Sequence, residues 1–243
     1  VMTKLFIAAI VLLGVVTPAQ AHQIWIEQPE GQNAVVRFGE FGENLREVSP
    51  GLLDKFARVT GTLVSTTGEQ TSDAAKTANG FALPFSAASG DSIVAEDASY
   101  PLYAWKQQGK DVTNWFYPAA RFITSFAAQR PKLVLDLVPT GREGQFKLIF
   151  KDQPKAKTKV TLVTESGWSK EGHTDDQGFV QFDMPWKGVY VAEVSFNDRS
   201  AGERAAANGA EKYDAVSYVT TVTYVNANGL TPIPAGPPAT PGK

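Results

Sequence analysis

The chain has 243 residues, 43% of them hydrophobic and 20% charged, and this globular composition excludes a chain that is disordered throughout. The 21 glycines, 15 prolines and 11% aromatic residues favour β structure with many turns over a helical bundle. A formal charge of −2 without a basic cluster argues against a nucleic-acid partner, and the absence of cysteine excludes disulfides, thiolate metal sites and cysteine nucleophiles.

The first residues have the pattern of an export signal. Lys4 supplies a positive end, residues 5–16 form an apolar run, and Ala19-Gln20-Ala21 has the small-x-small pattern of a signal peptidase site. We therefore expect a signal peptide over residues 1–21 and a mature chain that begins at His22. The apolar run is shorter than the roughly 20 residues that a membrane-spanning helix requires. A valine before Met2 is typical of an alternative bacterial start codon, so a periplasmic protein without a membrane span is expected.

The next segment, residues 22–130, predicts a β-rich domain with one short helix. Residues 23–27 and 34–38 look like the two strands of a hairpin, because a turn-rich linker joins them. Ser49 and Pro50 suit a helix N-cap and first helical position, and apolar residues follow them at helical spacing. Short strands then return over residues 61–93, followed by an aromatic-rich stretch over residues 100–122.

The alternation of apolar and polar residues becomes cleaner after Pro131. Strands are expected at residues 133–137, 146–150, 159–164, 179–184, 189–196 and 215–226, and this spacing is typical of an antiparallel sandwich. We expect residues 200–212 to form an exposed loop or a single helical turn. Residues 229–243 carry five prolines, so the last segment, 227–243, is predicted to be a disordered tail. The fold class is thus mainly β, with two β domains over residues 22–130 and 131–226.

Three segments of the second half, residues 159–163, 173–180 and 184–190, support a more specific expectation. Asp175 and Gly178 suit a tight turn, and Gly188 permits a bend before a strand. Their order resembles transthyretin-like or carboxypeptidase-regulatory domains, in which a Thr-Asp-x-x-Gly turn precedes a strand and a Gly-x-Tyr step opens the next. The resemblance implies an immunoglobulin-like sandwich for residues 131–226.

The exported start, His22-x-x-Trp25, and the strand at residues 132–139 extend the resemblance to the whole mature chain. Residues 22–226 resemble a family of bacterial periplasmic proteins of unknown function, grouped with periplasmic components of nickel or cobalt uptake systems. The match is strongest from Pro131 onward. It implies divalent metal handling, with an inner-membrane metal transporter as partner. The chain departs from a histidine-rich nickel site, because His22 and His173 are its only histidines.

The first residue of the predicted mature chain, His22, is the strongest candidate for a metal ligand. Cleavage before His22 would leave its α-amino nitrogen and its imidazole Nδ1 able to close a chelate ring on a metal ion. His173 could supply a second imidazole, which would complete a three-nitrogen brace suited to Cu(II) or Ni(II), and Asp175 could add an oxygen ligand. The predicted metal ligands are therefore His22, His173 and Asp175, for Ni(II), Co(II) or Cu(II). The alternative is that His22 only marks the cleavage point and that His173 and Asp175 belong to an exposed turn.

Other candidate sites have a structural interpretation that we prefer. The aromatic side chains over residues 100–122 could form a stacking platform for a sugar, but such side chains more often fill a core. Glu40, Glu43 and Glu47 alternate with Arg37 and Arg46, which favours a solvated, ion-paired surface. The sequence contains neither a Gly-x-Ser-x-Gly elbow nor a phosphate-binding glycine-rich loop.

The leading hypothesis is therefore a periplasmic protein without enzymatic activity that handles a divalent transition metal. The main alternative is a metal-free β-sandwich module that binds a protein or a glycan. A third hypothesis, from the enzyme class, is a copper-dependent polysaccharide oxidase, since those enzymes combine a β-sandwich with an N-terminal histidine brace.

Overall fold

The protein is mainly β, as predicted. The computed structural model describes residues 22–242, so the predicted signal peptide lies outside the described residues. In chain order the strands are β1 (Gln23–Glu27), β2 (Val35–Glu40), β3 (Leu45–Arg46), β4 (Thr60–Ser65), β5 (Gly68–Asp73), β6 (Ala75–Thr77), β7 (Gly80–Ala82), β8 (Ser92–Glu96), β9 (Tyr103–Gln107), β10 (Lys110–Ile123), β11 (Leu135–Pro139), β12 (Gln145–Phe150), β13 (Gln153–Pro154), β14 (Lys159–Thr164), β15 (Ser169–His173), β16 (Phe179–Gln181), β17 (Gly188–Asp198), β18 (Gly202–Ala206), β19 (Gly209–Tyr213) and β20 (Ala215–Asn226). Two 3-10 helices, Phe41–Glu43 and Leu52–Lys55, lie in the first part of the chain.

A nine-stranded central sheet forms the middle of the molecule. Its order is β15-β14-β17-β20-β10-β8-β4-β5, and β9 also pairs with β10. Strands β10 and β20 run parallel, in register from Asn114 opposite Ala215 to Ile123 opposite Tyr224. The predicted boundary after residue 130 falls between β10 and β11, and strands from both sides of it enter this sheet. The two predicted segments therefore share one continuous sheet.

Two smaller sheets cover opposite faces of the central sheet. The N-terminal sheet has the order β1-β2-β7-β6, with β3 paired to β2, and the C-terminal sheet contains β11, β12, β13 and β16. Successive side chains of a strand point to opposite faces, and β20 shows both contacts. The Thr221 hydroxyl donates to the Ile24 carbonyl at 2.8 Å in the N-terminal sheet, whereas the Thr220 hydroxyl donates to the Leu135 carbonyl at 2.7 Å in the C-terminal sheet. The architecture is thus three layers of β-sheet.

Each interface between layers has its own apolar core. The N-terminal core packs Ile24 and Phe38 against Phe122 of the central sheet. The C-terminal core packs Leu137 and Leu148 against central-sheet residues that include Tyr190. A hairpin predicted over residues 23–38 is confirmed, because β1 and β2 pair antiparallel from Gln23–Gly39 to Glu27–Val35. It supplies one wall of the N-terminal core.

The helix predicted after Ser49 and Pro50 is replaced by a single 3-10 turn, Leu52–Lys55. Asp54 Oδ2 accepts a hydrogen bond of 2.9 Å from the Gly51 amide, which closes this short turn. Phe56 is already extended, and its ring packs edge-on against Phe38 and Tyr100, with ring centres 4.8 and 5.0 Å apart. Burial of the Phe56 ring in the core therefore takes the place of a further helical turn.

Residues 200–212 also differ from the expected loop or helical turn. They form an antiparallel hairpin of β18 and β19, with Gly202 opposite Tyr213 and Ala206 opposite Gly209. Arg204 donates to Glu211 across the hairpin, with an Nη2–Oε2 distance of 2.9 Å. Ala207 and Asn208 form the turn, and Gly209, which opens β19, has a positive φ of +120° that glycine adopts readily.

The proline-rich tail is docked where disorder was expected. The Leu230 amide donates to the Pro185 carbonyl at 2.8 Å, and the Ala239 amide donates to the Asn44 carbonyl at 3.2 Å. The chain up to residue 242 thus returns to the N-terminal sheet without forming a strand there. Over the described part of the chain, no helix has the length and apolar character needed to cross a membrane.

Candidate functional site

His22 lies between two carboxylates at the edge of the N-terminal sheet. Its Nε2 is 2.7 Å from Glu47 Oε1, and its Nδ1 is 3.3 Å from Glu40 Oε1. The strand register explains this placement. Gln23 pairs with Gly39, and Gly39 pairs with Arg46. His22 precedes Gln23, Glu40 follows Gly39 and Glu47 follows Arg46, so the three side chains meet at one end of β1, β2 and β3. We call His22, Glu40 and Glu47 the histidine–carboxylate cluster.

Gly39 allows the three strands to approach this closely. Its φ of +145° lies in the region that favours glycine, and a Cβ atom at this position would collide with the Leu45 carbonyl oxygen. A side chain here would therefore push β3 away from β2. Since Glu47 follows β3 directly, its separation from His22 depends on the contact at Gly39.

Glu47 is fully buried and has both of its carboxylate oxygens bonded. Its side chain is only 1% exposed. Oε1 faces the His22 ring, and Oε2 accepts a hydrogen bond of 2.9 Å from the Gly242 amide of the tail. An ionised carboxylate is acceptor-only, so a hydrogen bond here requires a proton on His22 Nε2, and a neutral ring in that tautomer carries its lone pair on Nδ1. In many metal sites, a buried carboxylate bonds to one ring nitrogen of a histidine and so orients the other ring nitrogen toward the metal ion.

Glu40 faces the Nδ1 side of the ring. Burial raises the pKa of the Glu40 carboxyl, and the negative charges of Glu43 and Glu47 raise it further, whereas His22 acts in the opposite direction. These opposing effects mean that His22 does not fully compensate the negative charge of an ionised Glu40. A cation placed beside it would relieve that deficit.

Glu40 also lines a polar groove of about 410 Å³, which we call the carboxylate groove. Its other acidic members are Glu43, Glu171 and Glu193, and its basic member, Lys159, pairs with Glu171 at 2.8 Å. Burial, together with the charge of Glu40, raises the pKa of Glu193 to about 7. Gln23 donates its side-chain amide to the same Glu193 carboxyl. The histidine–carboxylate cluster therefore adjoins a groove that is rich in carboxyl groups, one of which is paired with Lys159.

His173 and Asp175, the other predicted ligands, are not among the contacts that His22 makes within residues 22–242. The side-chain contacts of His22 are to Glu40, Glu47 and the Phe38 ring, and none of these is His173. His173 is exposed at the end of β15, the edge strand of the central sheet, opposite Lys159. Asp175 Oδ1 accepts from the amides of Gln177 and Phe179 at 2.8 and 2.9 Å, which is a turn contact. Within residues 22–242, no group of three or more acidic or histidine side chains forms a ready-made metal cage.

The sequence pattern places two cluster residues, Glu40 and Glu47, on an ion-paired surface. That interpretation is wrong for Glu47, which is buried. The neighbouring arginines instead bind Glu27: Arg37 Nε at 2.8 Å and Arg46 Nη2 at 2.7 Å. The guanidinium groups are thus held by a carboxylate on β1, and the carboxylates of the cluster are left to His22.

The aromatic stretch over residues 100–122 does not form the flat platform that a sugar-binding face would need. Trp105 is 50% exposed, but Tyr117 is buried at 8%. The Trp115 and Tyr117 rings are tilted by 54° to one another. Most of the remaining rings of this stretch pack into the N-terminal core or onto its rim.

Comparison with family models, with curated proteins and with solved structures finds no match to this chain. The case for a function therefore depends on the residues and their geometry.

Proposed function

We propose that the chain, exported and cleaved before His22, binds one divalent transition metal ion at the histidine–carboxylate cluster. The α-amine and Nδ1 of His22 close a chelate ring on the ion, and the Glu40 carboxylate supplies an oxygen ligand. Ni(II) and Co(II) are the first candidates and Cu(II) is the alternative, because nitrogen-rich sets of this kind suit these ions.

The observation that carries the proposal is the orientation of the imidazole. Buried Glu47 lies 2.7 Å from Nε2, and Nδ1 faces Glu40 at 3.3 Å. The α-amine and Nδ1 belong to one residue, so the chelate needs no second histidine. His173 and Asp175 are not required in this arrangement.

Charge supports the same assignment. The cluster places two carboxylates around one imidazole, and the carboxylate groove brings further carboxyl groups beside Glu40. A bound divalent cation neutralises the two cluster carboxylates. Binding displaces a proton from the α-amine, whose ordinary pKa is about 7.7–8.0, so affinity rises with pH through neutrality.

The wider role that we propose is that of a periplasmic accessory protein in metal uptake, with an inner-membrane metal transporter as its partner. This part rests on the export signal and on the resemblance of residues 22–226 to periplasmic components of nickel and cobalt uptake systems. No catalytic role is proposed for any residue.

A calorimetric titration of the protein that begins at His22 with Ni(II), Co(II) and Cu(II) tests the proposal. H22A should abolish one-to-one binding, and E40Q should weaken it by about tenfold or more. H173A is the matched control, since it removes the other histidine and should leave the affinity unchanged. A second control adds Gly-Ser before His22, which keeps the imidazole but removes the α-amine from the chelate and should weaken binding strongly. Equal loss in H22A and H173A, or no loss in H22A, would overturn the proposal.

A further inference from the structure

A second concave surface is lined by His22 but not by Glu40 or Glu47. It has a volume of about 550 Å³, and its other walls include Leu52, Lys55, Tyr100, Leu102 and Phe116. We call it the aromatic groove. Its volume is in the range of small-molecule sites, which are concave, mostly apolar and contain a few polar groups.

Aromatic rings form a continuous row along this groove. Tyr100 and Phe116 lie edge-to-face with ring centres 5.0 Å apart, and Tyr100 makes the same kind of contact with Phe56, also at 5.0 Å. Phe56 continues the row to Phe38, and Phe38 to the His22 ring at 5.2 Å. A flat apolar group in the groove would find ring edges and ring faces at the separations that aromatic pairs prefer.

The two rims of the groove are tied together by one buried side chain. Asp97 is 0% exposed. Its Oδ2 accepts from the amides of Ala57 and Arg58 at 3.1 and 3.3 Å, just beyond the 3-10 turn that carries Lys55. Its Oδ1 accepts from the Ser99 amide at 2.8 Å, next to the loop of Tyr100 and Leu102. The groove is therefore preorganised, and a ligand need not order its walls.

The charge of the groove identifies the kind of ligand. Lys55 is exposed at its rim, and the ion pairs found within residues 22–242 leave its ammonium group without a carboxylate within 4.0 Å. The adjacent Asp54 is engaged elsewhere, by Lys76 and by the Gly51 amide. A single unmatched positive charge beside an apolar surface complements a ligand with one negative group and an apolar body.

We propose that the aromatic groove binds a small monocarboxylate with an aromatic or branched aliphatic body, its carboxylate at Lys55 and its body along Tyr100 and Phe116. The groove shares His22 with the proposed metal chelate but not Glu40 or Glu47, and the proposed contacts with Lys55, Tyr100 and Phe116 need no metal ion.

The test is calorimetry on the EDTA-treated protein that begins at His22, with indole-3-acetate and tryptamine as probes. The two probes share an indole ring and differ in the sign of their charge. Indole-3-acetate should bind with one-to-one stoichiometry, and tryptamine should bind at least about tenfold more weakly. K55Q should weaken the binding of indole-3-acetate by about fivefold, which is the effect of losing one partly exposed ion pair. K110Q is the matched control, because Lys110 is an exposed lysine outside the groove, and it should have no effect.

A second variant keeps the test independent of Lys55. L102D places a negative charge at the rim, on a loop residue that is only half-buried, and should abolish indole-3-acetate binding while thermal unfolding stays cooperative. The proposal is overturned by the absence of indole-3-acetate binding at millimolar concentration, by equal affinity for the two probes, or by unchanged affinity in K55Q. Because the metal is removed, each of these outcomes is independent of the result for the metal site.

Discussion

A buried ion pair links the central sheet to the C-terminal sheet, and its removal gives the clearest stability prediction. Arg121 of β10 is 1% exposed and Asp136 of β11 is 0% exposed. Arg121 Nε donates to Asp136 Oδ1 at 3.0 Å, and Nη2 donates to Oδ2 at 2.5 Å. Asp136 Oδ2 also accepts from the amides of Lys132 and Leu133, at 2.7 and 3.1 Å. Arg121 Nη1 is bonded to Gln129 at 2.7 Å.

D136A leaves the guanidinium buried without its counter-charge, so we expect a loss of about 3–5 kcal/mol in the free energy of unfolding. Removing both charges, in R121M/D136L, should lower the free energy of unfolding by only about 1–3 kcal/mol. The main contribution is then the loss of the hydrogen bonds that the amides of Lys132 and Leu133 donate to Asp136. The double variant should therefore be more stable than D136A, which is the signature of an uncompensated charge.

Urea unfolding followed by tryptophan fluorescence measures these differences, with D111A as the control. Asp111 pairs with Lys106 at 2.9 Å, but both side chains are 73% exposed, so its removal should leave the midpoint unchanged within error. A loss below about 1 kcal/mol in D136A, or a double variant less stable than D136A, would refute this account of the pair.

Three further predictions concern the cluster and its surroundings. The pKa of Glu193 is raised to about 7 from its ordinary 4.5, so the folded metal-free protein holds a proton that the unfolded chain has lost, and stability should fall as pH rises from about 4.5 to 7, by up to about 3 kcal/mol. E193Q should flatten this slope in urea titrations at several pH values, and an unchanged slope would contradict the assignment. G39A should destabilise the chain by about 2 kcal/mol or more through strain and collision with Leu45, measurable as a lower urea midpoint, whereas a neutral effect would exclude the tight strand contact. Deletion of residues 236–243 removes the Gly242 bond to Glu47 and should lower the melting temperature by about 2–4 °C, as seen by calorimetry, and an unchanged melting temperature would mean that the tail is not docked.

Local pattern was sufficient for parts of this fold. The β1–β2 hairpin was predictable because its alternation and turn residues lie within 20 residues of each other, and both signals agree. The 3-10 turn at Leu52–Lys55 was not, since helical spacing over one turn is shared by both kinds of helix and burial of Phe56 decides between them. The parallel pairing of β10 and β20 joins residues about a hundred positions apart, and short-range periodicity carries no information about it.

Of the candidate site, too, only a part could be predicted from the sequence. His22 was identifiable because the cleavage pattern and the chelating residue are adjacent in sequence. Glu47 was not, because it lies among charged residues that are typical of a surface. Its burial follows from contacts with His22 and with Gly242, which is 195 positions away. The docked tail was likewise not predictable, since proline-rich composition predicts the absence of strands but not the absence of docking.

The central claim is that the exported chain begins at His22 and that this residue binds a metal ion. Native mass spectrometry of the protein secreted from its full precursor, with and without Ni(II), tests both parts at once. We expect an apo mass that corresponds to residues 22–243, one added nickel ion at micromolar concentration, and loss of that ion in H22A but not in H173A. A chain that starts elsewhere, or one that starts at His22 and takes up no metal, would contradict it.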